Sequence, residues 1–423
     1  MFNNYSTSFL LNLKDPNIDF SDSTLKFVEI NGVKTIQISA VLKNKPCTCS
    51  KCGSHKINVH GYKISNIKLQ AISGYNAILA LSKQRYQCQA CNKTFMAKTS
   101  IVNDNCYISN SIKQSIALEA QYKISEKDIA KKFNVSHNTV NRILNSFKDI
   151  IKINFNYLPE CLCFDEFKST KDADGSMSFI YVDGETHQLL DIVEDRKLAN
   201  LIKYFQNFSR KARNNVKYIV MDMYTPYIKL AKTCFPNAKI IFDRFHIVNL
   251  ISRSLNKTRI KLMNKNKLLY NKLKKYWKLF LKADFDIDSN NYFYCPCFRG
   301  MRTQRMIIDW LLSQDEELKA TYKFYQDILY AIKNRNVKFL EKALNDVAIS
   351  SVSDYMKTSI KTLKNNLEYI ENAIVYKYSN GPVEGINNKI KTIKRIAFGY
   401  RSFVNFRVRI FIMNSLFLHK KVA

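Results

Sequence analysis

The spacing of apolar and polar residues sets the first expectations. "KTIQISAVLK" alternates with a period of two and predicts a strand. From Ser125, "SEKDIAKKFNVSHNTVNRIL" places Ile129, Ala130, Phe133, Val135, Val140 and Ile143 at the buried positions of two helices joined by a tight turn. Asn134 stands in that turn, where left-handed backbone is often needed and Asn tolerates it. Ser136 would cap the second helix and leave His137, Asn138, Asn141 and Arg142 exposed, free to address base edges or phosphates. The same spacing also suits an ordinary helical hairpin. After Pro159 the runs "CLCFDEF", "SFIYVDGE" and "QLLDIVED" read as strands, with Gly184 near the turn between the last two. A helical stretch over 197–208, the strand "VKYIVMD", the helix "PYIKLAKTC" and the strand "AKIIFD" follow. Three meandering strands and then αβαβ predict a mixed sheet with helices on its faces, a ribonuclease-H-like order. From 247 to 373 the spacing is helical and rich in charge.

Charge narrows the class. The 423 residues carry 67 Lys or Arg against 35 Asp or Glu, a net charge of +32, which implies a polyanionic partner. No apolar run approaches the roughly 18 residues of a spanning helix, and the N-terminus lacks a leader with a long apolar core. Nucleic acid is therefore expected rather than membrane, in the cytoplasm. There the eleven cysteines would serve as metal ligands or buried thiols, not disulfides. Cys49-x-x-Cys52 and Cys88-x-x-Cys91 form two knuckles able to offer four thiolates to one structural Zn²⁺. Cys47 could take the place of Cys49, whereas Cys295 and Cys297 are too close in sequence for a knuckle and read as structural. Between Arg253 and Lys282 there are eleven Lys or Arg and no acid, interleaved with Tyr270, Tyr276 and Trp277. That run suits a nucleic-acid surface or, equally, the solvated face of an amphipathic helix.

The acids carry the candidate chemistry. Asp165 and Asp222 end predicted strands, where the sheet of an α/β fold opens a ligand crevice. Two carboxylates facing a basic polymer-binding surface would be costly without a cation, and Mg²⁺ or Mn²⁺ accepts such oxygens together with phosphate. A third carboxylate could come from far along the chain. Glu384, in "SNGPVEGINNKIKTIKR", is the last Asp or Glu of the sequence. A capping role would also explain it: Ser379 or Asn380 as cap, Pro382 in the first turn, Glu384 complementing the positive helix end. Lys389, Lys391, Lys394, Arg395 and Arg401 follow as candidate phosphate contacts. Glu166 should face away from Asp165 in a strand, and Asp183, near a hairpin turn, should be solvated.

The order Asp165 in "FDEF", Asp222 in "MDMYTPY", Asp243 in "FDRFH" and Glu384 in "SNGPVEGINNKIK" resembles the DDE transposases of the bacterial ISL3 insertion-sequence family. The resemblance covers nearly the whole chain, and "DRFH" with "SNGPVEG" carries most of its specificity. It implies a multidomain α+β protein. Strands and a zinc ribbon would occupy 1–100, a helix-turn-helix 105–157, and a ribonuclease-H-like α/β catalytic domain 158–250. An all-helical insertion over 251–371 would interrupt that domain, which resumes over 372–423 with basic helices. By motif position, Asp165, Asp222 and Glu384 match the metal-binding triad, with Mg²⁺ or Mn²⁺. Asp243, which also ends a predicted strand, would stand behind the ligands or touch DNA, and His246 would touch a phosphate or leaving group or, equally, be a packed or capping residue. The implied partner is double-stranded DNA, transposon ends and target, bound by a homodimer or larger assembly on the bacterial nucleoid. No tyrosine or serine recombinase constellation is present, so no covalent enzyme–DNA intermediate is required. Two other readings are a DNA-binding regulator derived from a transposase and another ribonuclease-H-like nuclease.

Overall fold

Residues 4–21, 23–43 and 46–414 are described by the structure, a computed structural model. The outermost parts of the expected 1–100 and 372–423 segments, residues 1–3 and 415–423, lie outside the described residues, as do 22 and 44–45. In chain order, helix α1 (Asn4–Leu10) precedes strands β1 (Ile18–Asp19), β2 (Leu25–Ile30), β3 (Val33–Leu42), β4 (Ile57–Ile72), β5 (Tyr75–Cys88) and β6 (Thr94–Met96). Helices α2 (Asn110–Glu119), α3 (Glu126–Lys132) and α4 (His137–Asn145) follow. Next come β7 (Cys161–Lys168), β8 (Met177–Asp183), β9 (Leu189–Val193), α5 (Leu198–Gln206), α6 (Arg210–Asn215), β10 (Tyr218–Met221), α7 (Thr225–Cys234) and β11 (Lys239–Phe242). A helical stretch runs through α8 (Arg244–Lys265), α9 (Lys267–Lys275) and α10 (Trp277–Phe280). After the short hairpin β12 (Phe293–Cys295) and β13 (Gly300–Arg302) it resumes with α11 (Gln304–Leu312), α12 (Glu316–Lys333), α13 (Val337–Asp346), α14 (Asp354–Asn365) and α15 (Leu367–Val375). Helices α16 (Gly381–Ile396) and α17 (Phe403–Met413) close the described chain.

The chain divides into two units. One holds Met1–Lys152, Thr170–Asp172 and Lys389–Ala423; the other holds Ile153–Ser169 and Ala173–Asn388. In the first, β3 and β5 pair in parallel, β4 runs antiparallel to β5, and β1, β2 and β6 extend the sheet. The long gap between the cysteine knuckles is taken up by the β4–β5 hairpin, which turns at Ser73 (φ +48°) and Gly74 (φ +82°). Two positive φ values in a two-residue loop match the right-handed twist of the strands they join. The inward face of the sheet buries Ile36, Ile38, Ile67, Leu69, Leu79 and Leu81. A separate cluster joins Ile112, Ile116, Ile129, Ala130, Val140, Ile143 and Leu144 of α2–α4 to Val408 and Ile412 of α17.

The second unit is built on a five-stranded sheet of order β11-β10-β7-β8-β9. Strands β7, β10 and β11 are mutually parallel, while β8 and β9 return antiparallel. The central strand β7 alternates its faces, as a period of two demands. Phe164 points into an aromatic cluster with Phe179, Phe205, Tyr227 and Phe235, at centroid distances of 5.0–6.5 Å. Each of those buried phenylalanines contributes about 2–3 kcal/mol through loss of apolar surface. On the opposite face, Cys163 Sγ donates to the Ser379 carbonyl (3.6 Å), and Asn372 of α15 donates to the Ile240 carbonyl (2.9 Å).

Two expectations need correcting. Asp183 is buried rather than solvated. Its carboxylate accepts from the Glu185 and Thr186 amides (2.8 and 3.3 Å) and from the Thr186 hydroxyl (2.7 Å), closing the β8–β9 turn. The basic run after Arg253 is not all surface: Arg259 is buried, donating to the Leu273 carbonyl (2.7 Å), and Tyr276 is buried as well. Long basic side chains can lie along apolar surface, so charge spacing alone does not show which are enclosed.

Candidate functional site

The four thiols Cys49, Cys52, Cys88 and Cys91 lie within 4.8 Å of one another. Cys49 and Cys91 sulfurs are 3.8 Å apart, and Cys52 and Cys88 are 3.6 Å apart. Tetrahedral Zn²⁺ with about 2.3 Å Zn–S bonds requires sulfurs about 3.8 Å apart, so the donor set fits that ion. Local backbone explains the arrangement. Gly53 (φ +75°) and Asn92 (φ +55°) each follow a knuckle in left-handed conformation, and the Gly53 amide closes onto the Cys49 carbonyl at 2.9 Å. Cys88 ends β5, and hydrogen bonds from the Cys91 and Ala90 amides draw its thiol down to about 6, toward the thiolate a metal needs. Cys47 is exposed and outside the cluster; its carbonyl lies 3.1 Å from His55 Nδ1.

The helix pair α3–α4 turns at Asn134, whose φ of +48° is the left-handed geometry the sequence suggests. Ser136 accepts from the Thr139 amide and caps α4. His137, Asn138 and Arg142 are exposed on α4, while Asn141 is half-buried. Asn141 donates to Glu126 (3.3 Å) and accepts from Asn145 (2.9 Å); His137 Nε2 stands 3.5 Å from the same Glu126 carboxylate. Lys389, Lys391, Arg395 and Arg401 are exposed, whereas Lys394 is half-buried with its ammonium over the Phe406 ring.

Asp222 and Asp243 follow the C-terminal ends of adjacent strands of the second unit, and Asp165 lies on the strand beside them. Asp222 follows β10 directly and Asp243 follows β11, as their apolar runs predict. Asp165 is different. Strand β7 continues to Lys168 and pairs Asp165 with Ile180, so the residue is mid-strand toward β8. Toward β10 the last pair is Cys163 with Val220, which leaves Asp165 just past the end of the parallel ladder. Its two oxygens accept from the Glu166 amide and from Asn387 of α16, both at 2.7 Å. Burial, joined by the charge of Asp222, pushes its carboxyl up to about 6 against those hydrogen bonds. Glu166 faces away, as expected, and is held by Arg196 and by the Tyr227 hydroxyl (2.8 Å).

Asp222, Asp243 and His246 bring ligand atoms within 4.8 Å of one another. His246 Nε2 is 3.0 Å from Asp222 Oδ1, at ion-pair distance. That oxygen is nonetheless buried without an aligned hydrogen-bond donor. The carboxylate at that distance raises the His246 pKa and so favours the protonated imidazole, and a divalent cation would supply positive charge at the same oxygen. Asp165 and Glu384 are not members of that three-residue cluster. Glu384 is exposed in the first turn of α16, with its amide donating to the Asn380 carbonyl (3.1 Å). Asn380, Glu384 and Asn387 fall at i, i+4 and i+7, one stripe of a helix. The outer two reach β7, Asn380 at the Phe164 carbonyl (3.0 Å) and Asn387 at Asp165. Sequence reasoning gave Asn380 only a capping role and overlooked Asn387, although both stand in the segment that singled out Glu384 and their spacing was the signal. Beside Asp222, a cavity of about 280 Å³ is lined by Glu166, Tyr227, His246, Asn249 and Arg253 among others.

A transposase family profile matches residues 162–410, more than half of the chain. The chain belongs to the ISL3 transposase family. Its helix-turn-helix matches the corresponding domain of that family over residues 97–147, and residues 45–91 match the zinc finger of the transposases of IS204, IS1001, IS1096 and IS1165. The transposase for insertion sequence element IS1001 of Bordetella parapertussis is 24% identical over 398 residues, covering 89% of this chain and 91% of that protein. A protein of Lactococcus lactis subsp. lactis named ATP-dependent protease is 42% identical over 111 residues, 26% of this chain. The matched stretch spans only 35% of that protein's length. Among the described residues of this ISL3 member, no helix is long and apolar enough to cross a membrane.

Proposed function

We propose that this transposase binds the terminal inverted repeats of its own insertion sequence and performs metal-dependent cleavage and strand transfer on a ribonuclease-H-like sheet. One observation carries the reading: Asp165, Asp222 and Asp243 stand where three adjacent parallel strands, β7, β10 and β11, end or outrun their neighbours. Glu384 completes the acid set from the helical stripe whose other members bond β7. Asp165, Asp222 and Glu384 would hold Mg²⁺ or Mn²⁺, which supplies Lewis-acid assistance to in-line displacement at phosphorus. The protein's own part is orientation. Asn387 fixes the Asp165 carboxylate, and His246 stands against Asp222. Arg253, exposed at the cavity rim, offers its charge to a DNA phosphate. The zinc held by the four cysteines would act structurally, and α4 would address DNA through His137, Asn138, Asn141 and Arg142. Lys389, Lys391, Lys394, Arg395 and Arg401 would grip phosphates. Pairing two ends calls for a homodimer or larger assembly, working at the nucleoid in the bacterial cytoplasm.

Duplexes carrying the end sequence, incubated with the protein and Mg²⁺, should be cut at the 3′ ends of the element by the parent chain and not by Asp222→Ala. Full cleavage by that variant sinks the assignment. Specific binding without cutting by the parent chain would instead indicate a regulator, and equal cutting of duplexes without terminal repeats would indicate a general nuclease.

A further inference from the structure

The match to the helix-turn-helix domain stops at residue 147, yet the core of that domain does not. Val408 and Ile412 of α17 are buried among Ile116, Ile129, Val140 and Leu144. Arg409, between them, is almost wholly buried, and its Nη2 donates to the carbonyls of Tyr122 (3.2 Å) and Ile124 (2.7 Å), in the turn that leads into α3. Lys389 binds the Asn414 side chain at the far end of α17 (3.1 Å). At the near end, Asn405 donates to Asn141 Oδ1 at 3.4 Å. Asn141 is thus held from three sides, by Glu126, Asn145 and Asn405. Arg401 is exposed one residue before Ser402, which caps α17 through the Asn405 amide.

We propose that α17 is a fourth helix of the DNA-binding unit and that its first turn extends the recognition surface of α4. Asn405 acts as a positioning residue for Asn141. Arg401 takes a backbone phosphate of the same duplex, whereas the amide end of α17 is already held by the Asp172 carboxylate on the Phe403 amide (3.0 Å) and by the Ser402 cap. The ligand class is B-form DNA, recognised by the second Nδ2 hydrogen of Asn141 on a base-edge acceptor, its Oδ1 being taken by Asn145 and Asn405, and by a guanidinium on the adjoining backbone. This assignment rests on the DNA-end reading given above and deepens it, because it moves part of the basic C-terminal segment from the cleavage site to end recognition.

The test uses the full-length protein and fluorescence anisotropy on duplexes cut from the DNA on either side of the reading frame, with shuffled duplexes as comparison. Arg401→Ala should weaken both kinds of duplex alike and reduce the slope of log affinity against log salt by about one. Asn405→Ala should leave the slope unchanged and lower the preference for end over shuffled DNA about tenfold. Should both variants keep the parent's preference and salt slope, the inference is overturned while end recognition stands. Should the parent itself show no preference, the DNA-end reading fails and this inference falls with it.

Discussion

Replacing Asp165 by Asn should make the metal-free protein more stable at pH 8 while removing a proposed metal ligand. The carboxyl is pushed from its ordinary 3.8 up to about 6, chiefly by burial and secondarily by Asp222. At about 1.4 kcal/mol for each pH unit, holding that group ionised costs the fold about 3 kcal/mol. Asn carries no charge but offers one acceptor oxygen where two now receive the Glu166 amide and Asn387. A lost hydrogen bond returns about 1 kcal/mol of that gain, leaving a net stabilisation of about 2 kcal/mol. For a unit of this size that is roughly 4–8 °C in melting temperature. The sign follows from the raised value. Below 3.8 the folded and unfolded chains both carry the proton, and the parent loses nothing; as pH rises through about 6 the folded carboxyl must ionise and stability is lost. The variant should therefore be no more stable than the parent at pH 4, where the lost hydrogen bond still counts against it, gain on the parent between pH 4 and 6, and hold its full advantage by pH 8. Trp277 and Trp310 are the two tryptophans of the chain and both belong to the unit that holds Asp165, so their fluorescence follows the relevant transition. The buffer should omit chelator to leave zinc in place. Adding Mg²⁺ should then raise the parent by mass action and leave the variant largely unmoved. A variant no more stable than the parent at pH 8, or an advantage constant from pH 4 to 8, would refute the reasoning.

Three other outcomes are expected. Asn387→Ala should keep the fold but weaken Mg²⁺-dependent cleavage about 10–100-fold, because Asp165 loses its orienting donor; a cleavage titration with Mg²⁺ reads this directly. Cys49→Ser should lose the bound zinc and Cys47→Ser should retain it, as measured by metal content of the purified chains. Asn134→Val should destabilise the helix-turn-helix by about 1–2 kcal/mol, whereas Asn134→Gly should be near neutral, since the φ of +48° penalises a β-branched side chain; chemical denaturation followed by circular dichroism compares them.

What could be read from the chain alone was local. Asn134 and Ser136 mark the turn and the cap of α4 because each acts within four residues of its own backbone. The cysteine pairs are legible for the same reason, and so are Asp222 and Asp243, each directly after a short apolar run. Asp165 was misjudged as strand-terminal because where a strand ends depends on which neighbour is asked. Its ladder to β10 stops at Cys163 while that to β8 runs on to Lys168, and neither length is written in β7 itself. Arg259 looked like one more cation of a basic surface, since only long-range packing shows that its guanidinium ends on a backbone carbonyl, and burial of Arg409 on the Tyr122 and Ile124 carbonyls is equally invisible in the sequence. The role of α17 was hidden by distance along the chain: its partners lie more than two hundred residues earlier.

The alternation of faces along β7 has a consequence for damaged copies of the element. A one-residue in-frame deletion within the strand exchanges the two faces for every residue on one side of the lesion. Glu166 would then replace Asp165 opposite Asn387, so an acid would still stand near the proposed metal site. The same slip would turn Phe164 out of its aromatic cluster and bring Asp165 in. Such a lesion would leave an acid in place yet dismantle the sheet, so a copy carrying it should be lost as folded protein rather than persist as a competent binder that cannot cut.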